Sequence, residues 1–112
     1  MRAERSLRTR REFERARATG IRTSAPGAAV LVVWRADDDV ARLGLAVGAR
    51  CGGAVERNRI KRRLRAAFEA SKPPTGADVA VHARPAASSL EFQELVSMLK
   101  RAYERALGGG KA

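Results

Sequence analysis

Much of the chemistry that protein catalysts rely on is missing from this chain. Cys51 is its one cysteine and His82 its one histidine. A lone cysteine excludes an intrachain disulfide and fits a reducing compartment. The same scarcity excludes a zinc site built from Cys and His clusters, and no metal site is expected on the protein. No apolar run approaches the ~20 residues that cross a bilayer, so no membrane contact is expected. The N-terminus has no apolar signal-peptide core, and Glu4, Glu12 and Glu14 argue against an Arg-rich organellar presequence. A cytoplasmic location is the expectation. Three Phe, one Tyr and one Trp are too few for a single-strand binder built on rows of stacked rings.

Acid is also scarce. Twelve Asp and Glu stand against 23 Lys and Arg, a formal net charge of +11 in 112 residues. Charge of one sign on a small domain repels itself, and its commonest use is a polyanionic partner. Arginine dominates, from Arg2, Arg5, Arg8, Arg10 and Arg11 onward, and its planar fork suits bidentate phosphate contacts. Hydrophobic residues make up 45% of the chain, enough for a core. The length suits a single domain over residues 1–112, with an ordered core at about 7–107.

Capping-box spacing at Thr9 to Glu12 predicts a short helix from Arg10 to Ala18, closed by Gly20. Ala28 to Arg35 is apolar and β-branched and reads as a strand, with a further short strand possible at Ile21 to Ser24. Arg42 to Gly48 is a second strand of unusual alternation. Leu43, Leu45 and Val47 lie on one face, and Gly44, Ala46 and Gly48 leave the other bare. Such a face admits close approach, either by a packed helix or by a bound strand of nucleic acid. Asp78 to Ala83 is a third strand. Ser88 to Glu91 offers a capping box for a last helix carrying Phe92, Leu95, Val96, Leu99, Tyr103 and Ala106 at helical spacing. The fold expected is an α+β, two-layer α/β sandwich in the order α-β-β-(β)-α-β-α, the parenthesis marking the optional short strand.

Between Gly52-Gly53 and Pro73-Pro74 lies the most informative stretch, a helix from Ala54 to Ala70. Ile60, Leu64, Ala67 and Phe68 share one side of it. Asn58, Lys61, Arg62 and Arg65 occupy the other, with Arg59 beside them and Arg57 and Arg63 at the borders. Six of the nine residues from Arg57 to Arg65 are basic, and the nearest acids are Glu56 and Glu69. A solvated helix face mixes signs; this one presents a rigid cationic surface. Roughly six phosphate contacts to single-stranded RNA would give a log–log salt slope near −4. Asn58 adds an amide that both donates and accepts.

A catalyst for hydrolysis or transfer needs a positioned nucleophile, base or metal, and no such set is present. Cys51 reads as structural, beside a glycine turn. His82 reads as a surface or core-edge residue, or else as an RNA contact. Asp37, Asp38 and Asp39 read as a solvated turn rather than a cation site. Phe13 has two readings, core filler or stacking platform for a base, and Trp34 has the same two.

From Gly52 to Arg65 the sequence Gly-Gly-Ala-Val-Glu-Arg-Asn-Arg-Ile-Lys-Arg-Arg-Leu-Arg resembles the signature of the bacterial ribonuclease P protein family. The Phe13 helix with Gly20, the Leu43-to-Val47 strand and the Asp78-to-Pro85 strand follow in family order, so the likeness covers about Leu7 to Leu107. It implies the small subunit of a ribonucleoprotein whose RNA cuts precursor tRNA at the mature 5′ end. The Mg2+ it needs would be held mainly by RNA and substrate. The protein's partners would be the catalytic RNA and the 5′ leader of the precursor, with no protein partner required. The family fold places the basic helix in a left-handed β-α-β crossover. On this likeness Arg50, Arg57, Asn58, Arg59, Lys61, Arg62, Arg63 and Arg65 are expected to bind RNA. A leader cleft between the first helix and the sheet would involve Phe13, Arg17, Ala46 and Trp34.

Three departures stand out. Arg17 replaces a second aromatic one turn after Phe13, Val32 stands near a strand aromatic, and Gly48-Ala49-Arg50 replaces Ser-Lys-Lys. They imply a leader grip resting more on charge, with Arg17 or Trp34 compensating. The alternatives fare worse. A ribosomal-type structural RNA-binding protein would share the charge but need neither the Gly52-to-Arg65 signature nor a bare sheet face. A major-groove DNA reader lacks a helix-turn-helix partner before the basic helix.

Overall fold

Val30 and Val32 are buried on one face of the strand Ala28–Trp34, and Leu31 and Val33 on the other, so both faces of its sheet are covered. The computed structural model describes residues 5–6, 10–35 and 37–109, without the side chains of residues 5, 6, 12, 13, 16 and 17. Its elements are β1 (Arg5–Ser6), α1 (Arg10–Thr19), β2 (Ile21–Ser24), β3 (Ala28–Trp34), β4 (Arg42–Ala46), α2 (Ala54–Ala70), β5 (Ala77–Ala83) and α3 (Phe92–Gly109). They build one five-stranded sheet in the order β1-β4-β5-β3-β2. β1, β4 and β5 run parallel, and β3 is antiparallel to β5 and β2.

The main core lies under α2 and α3. Leu43 pairs with Val79 and Val79 with Val32; Leu45 pairs with Val81 and Val81 with Val30. These rows meet Ile60, Leu64 and Phe68 of α2 and Leu95 and Leu99 of α3. Each large side chain buried there contributes about 1.5–3 kcal/mol. The opposite face carries a smaller cluster of Leu31, Val33 and Ala80. α1, which contacts β3 and β5, covers it and adds a partial third layer to the expected α+β sandwich.

Sequence periodicity places α2 at the limits the structure has, because its ends are punctuated. Gly52 takes φ +116, and a Cβ there would meet the Glu56 Cβ at 2.9 Å. Gly53 is the N-cap, its carbonyl accepting from Arg57 N–H at 2.9 Å. At the other end Ser71 N–H returns to the Ala67 carbonyl at 2.9 Å. α2 then joins β4 to its parallel neighbour β5.

Other expectations are corrected. The optional strand exists as β2, and β1 went unread, its two residues being too few for a periodic signal. β4 ends at Ala46, before a 3-10 turn at Ala49–Cys51. The Thr9 cap lies outside the described residues. Ser88 does not cap α3. It closes a second 3-10 turn, Pro85–Ser88, by donating to the Pro85 carbonyl at 3.0 Å. Glu91 takes the cap position: its N–H donates to Glu94 Oε1 at 3.2 Å, and its carbonyl accepts from Leu95 N–H.

The Asp37–Asp39 loop is more than a solvated turn. Arg35 binds the Asp37 carboxylate and donates to the Asp39 and Val40 carbonyls at 3.0 and 2.9 Å. It also reaches Asp78 Oδ1 at 2.6 Å, while Arg42 grips both Asp78 oxygens at 2.8 and 2.6 Å. Burial would raise the Asp78 pKa, but the bonds from Arg42 and Arg35 reverse this and hold it below the ordinary carboxylate value.

Candidate nucleic-acid interface

Two surfaces, on opposite sides of the sheet, are candidates. The first is the outward side of α2, where burying Ile60, Leu64, Ala67 and Phe68 turns the charges to solvent. Asn58, Arg59, Arg62 and Arg65 are exposed; Arg57 and Lys61 are half-buried. Arg50 is exposed in the turn that leads into the helix. These residues form one cationic face, as the sequence indicates.

Arg63 is the exception. Its guanidinium donates to the backbone carbonyls of Ala87 and Leu90. Its position at the border of the basic face lets it reach the Pro85–Ser88 turn, so it clamps that segment to α2. Arg63, expected among the RNA contacts, thus has its guanidinium engaged by the protein's own backbone.

The second surface is the sheet face opposite the main core. Two rows cross it. Gly44 pairs with Ala80, Ala80 with Leu31, and Leu31 with Arg22. Ala46 pairs with His82, His82 with Ala29, and Ala29 with Ser24. Small side chains predominate, so the rows form a shallow floor. Gly20, Arg22, Ala29, Leu31 and His82 line an open cleft of about 310 Å³, beside the C-terminal end of α1. Of the two uses the sequence left open for the bare face, helix packing is present beside β4, where α1 contacts β3 and β5.

Ala46 lies on this face, half-buried. Trp34 does not. It shares a face with Val30 and Val32, pairs with Ala77 and packs against the main core. Strand alternation therefore removes Trp34 from the cleft, and Val32, 1% exposed, faces the core as well. Leu31, one position away, is the cleft residue. Phe13 and Arg17 belong to α1, but their side chains lie outside the described residues. Arg22 and His82 were not among the expected cleft residues. Their signal was the two-residue alternation that sets His82 beside Ala80 on one face of β5.

Cys51 is buried, and its thiol donates to the Ala83 carbonyl at 3.6 Å. It belongs to the main core, whereas His82 lines the opposite side, so the two do not combine. Among the described residues no group of three or more His, Cys, Asp or Glu converges on a possible metal position. The described helices include none long and apolar enough to cross a membrane.

A family model described as Ribonuclease P matches residues 1–107. The chain belongs to the ribonuclease P protein family. It is 36% identical over 103 residues to the ribonuclease P protein component of Gluconacetobacter diazotrophicus, covering 89% of each chain. To that of Shouchella clausii it is 37% identical over 109 residues, covering 95% of this chain and 88% of the relative. Among solved structures, the Thermotoga maritima RNase P protein superposes with a TM-score of 0.76 at 29% identity, over 89% of this chain and 96% of that one. The Staphylococcus aureus RNase P protein gives 0.72 at 27%, over 95% and 94%. Membership settles the choice against a ribosomal-type structural protein. The chain is a protein subunit of a tRNA-processing endoribonuclease, and ribonuclease P RNA is its partner.

Proposed function

We propose that the chain serves ribonuclease P by holding two nucleic acids at once. The cationic face of α2, with Arg50 before it, seats on the catalytic RNA. The cleft between α1 and the sheet receives the 5′ leader of precursor tRNA. One observation carries the reading: beside the end of α1 an open cleft floored by Ala29 and Leu31 and edged by Arg22 and His82 lies on the sheet face opposite the main core, where a backbone can lie close to the sheet.

Cleavage in this reading belongs to the RNA. The Mg2+ of the reaction is assigned to RNA and substrate, and no step passes through a protein-held ion. The protein supplies positive charge and position. A cytoplasmic site of action follows from the substrate.

The test reconstitutes the full chain with a bacterial ribonuclease P RNA at low magnesium, using precursor tRNA with and without its leader. Cleavage should require both components, and affinity should fall when the leader is removed. Ala46→Trp should abolish that leader-dependent gain and leave leaderless binding unchanged. Cleavage by the protein alone, or equal affinity for both substrates, would sink the proposal.

A further inference from the structure

We propose that Lys72 is a further contact for the backbone of ribonuclease P RNA and marks the far end of the docking face on α2. This rests on the docking reading above and extends it beyond the run from Arg57 to Arg65.

Among the described residues three hold a left-handed backbone, and two of them are glycines, Gly52 at φ +116 and Gly76 at φ +78. Lys72, at φ +52, is the third. It directly follows Ser71, the C-cap of α2, and its N–H donates to the Glu69 carbonyl at 3.4 Å. Glycine is the usual residue at this place, because a Cβ disfavours the left-handed region. A lysine here gives up stability that glycine would supply, which points to a use for its side chain.

Its position supplies the use. At about 100° per residue, Asn58, Lys61, Arg65 and Lys72 fall within about 60° of one another around the α2 axis. Asn58, Arg65 and Lys72 are exposed, and Lys61 is half-buried. At ~1.5 Å per residue, Lys72 stands roughly 10 Å beyond Arg65 and roughly 20 Å beyond Asn58. It continues the polar row past the end of the helix.

The row lacks a cation at that end without it. No basic residue occupies the last turn of α2. Glu69 is exposed on the same stretch, and the helix dipole puts partial negative charge on the last carbonyls. An RNA strand following the row from Asn58 would be repelled there. Lys72 offsets both sources. Its ammonium is a compact charge on a long, flexible stem, suited to a phosphate and indifferent to the base. The dipole would favour a lysine here with no RNA present, so the test separates binding from stability.

The experiment uses the full chain and three variants. Lys72→Gln removes the charge, Lys72→Gly removes the charge and the backbone strain, and Lys72→Arg keeps the charge. Each is measured for its thermal midpoint and for affinity to a bacterial ribonuclease P RNA over a salt series, with Arg65→Ala as reference. Losing one phosphate contact makes the log–log slope shallower by about 0.7–0.9, roughly a fivefold loss of affinity at ~0.1 M salt. Lys72→Gln and Lys72→Gly should both show this loss, and Lys72→Arg should bind as the wild type does. Lys72→Gly should also melt roughly 4 °C above Lys72→Gln, so that the more stable variant is a weaker binder than the wild type. Equal midpoints for those two variants would remove the strain and count against the proposal. Wild-type affinity in both, with Arg65→Ala weakened, would make Lys72 a helix-end charge only and overturn the proposal while α2 docking stands. Wild-type affinity in Arg65→Ala as well would overturn the docking reading with it.

Discussion

The Tyr103 hydroxyl donates to Ser71 Oγ at 2.7 Å, because the Ser71 proton is already engaged with the Phe68 carbonyl at 2.7 Å. This buried relay fastens the C-terminal end of α2 to the middle of α3. Burial pushes the Tyr103 pKa up to about 12, against the smaller lowering effect of the Ser71 bond.

Tyr103→Phe should therefore cost about 1 kcal/mol in denaturant unfolding at neutral pH, the worth of one buried hydrogen bond. The wild type should also lose stability as pH rises from about 10, where an unfolded tyrosine ionises, toward 12, because only the unfolded state gives up the proton there. The phenylalanine variant should lack that alkaline increment. An identical alkaline profile in both would rule out the relay as its source.

Asp78 is the second test. Its carboxyl lies between Arg35 and Arg42 with a side-chain exposure of 7%. Asp78→Asn leaves two arginines without their shared anion, and a loss of roughly 3–5 kcal/mol is expected. Because its folded pKa is depressed, its contribution is present above the unfolded value near ~4 and disappears as pH falls through the folded value. Acid unfolding monitored by circular dichroism should show this increment in the wild type and not in the variant.

Arg62 and Arg63 are neighbours with opposite assignments. Arg63→Ala should lower the thermal midpoint, since it frees the carbonyls of Ala87 and Leu90 at about 1–3 kcal/mol. Arg62→Ala should leave the midpoint within about 0.5 kcal/mol of the wild type and weaken binding to ribonuclease P RNA. Equal effects of both variants on both measurements would refute the distinction.

Gly76→Ala probes the turn into β5. Gly76 takes φ +78, and an added Cβ would sit 2.6 Å from the Asp37 carbonyl oxygen. Its own backbone accepts from Arg35 N–H at 2.7 Å and donates to the Asp39 carbonyl at 2.8 Å. A loss of about 2 kcal/mol or more is expected, measurable by urea unfolding, with an unchanged midpoint counting against the strain.

How far the chain could be read without its structure depended on distance along it. α2 was legible because its period, its glycine start and its proline stop are all local. So was the alternation in β4 that bares Gly44 and Ala46. The partners of that face were not, because Ala46 meets His82 only through the β4–β5 register, which local periodicity does not encode. Trp34 was misplaced for the same reason: its own strand told which residues it travels with, not which sheet face they share with Ala46. The clamp made by Arg63 was not legible, because its acceptors are backbone carbonyls more than twenty residues away.

β4 itself sets a strict condition on sequence change. Its five residues alternate between Leu43 and Leu45, which feed the core beneath α2, and Gly44 and Ala46, which lie on the opposite face of the sheet. Deleting or inserting one residue inside Arg42–Ala46 would exchange the two sets, since side chains in a strand change face at every step. Leucines would then crowd the face beside α1 and small residues would hollow the core. Substitutions in this strand can be absorbed singly, whereas a change in its length disturbs both faces of the sheet together, so divergence here should proceed by replacement and not by insertion or loss.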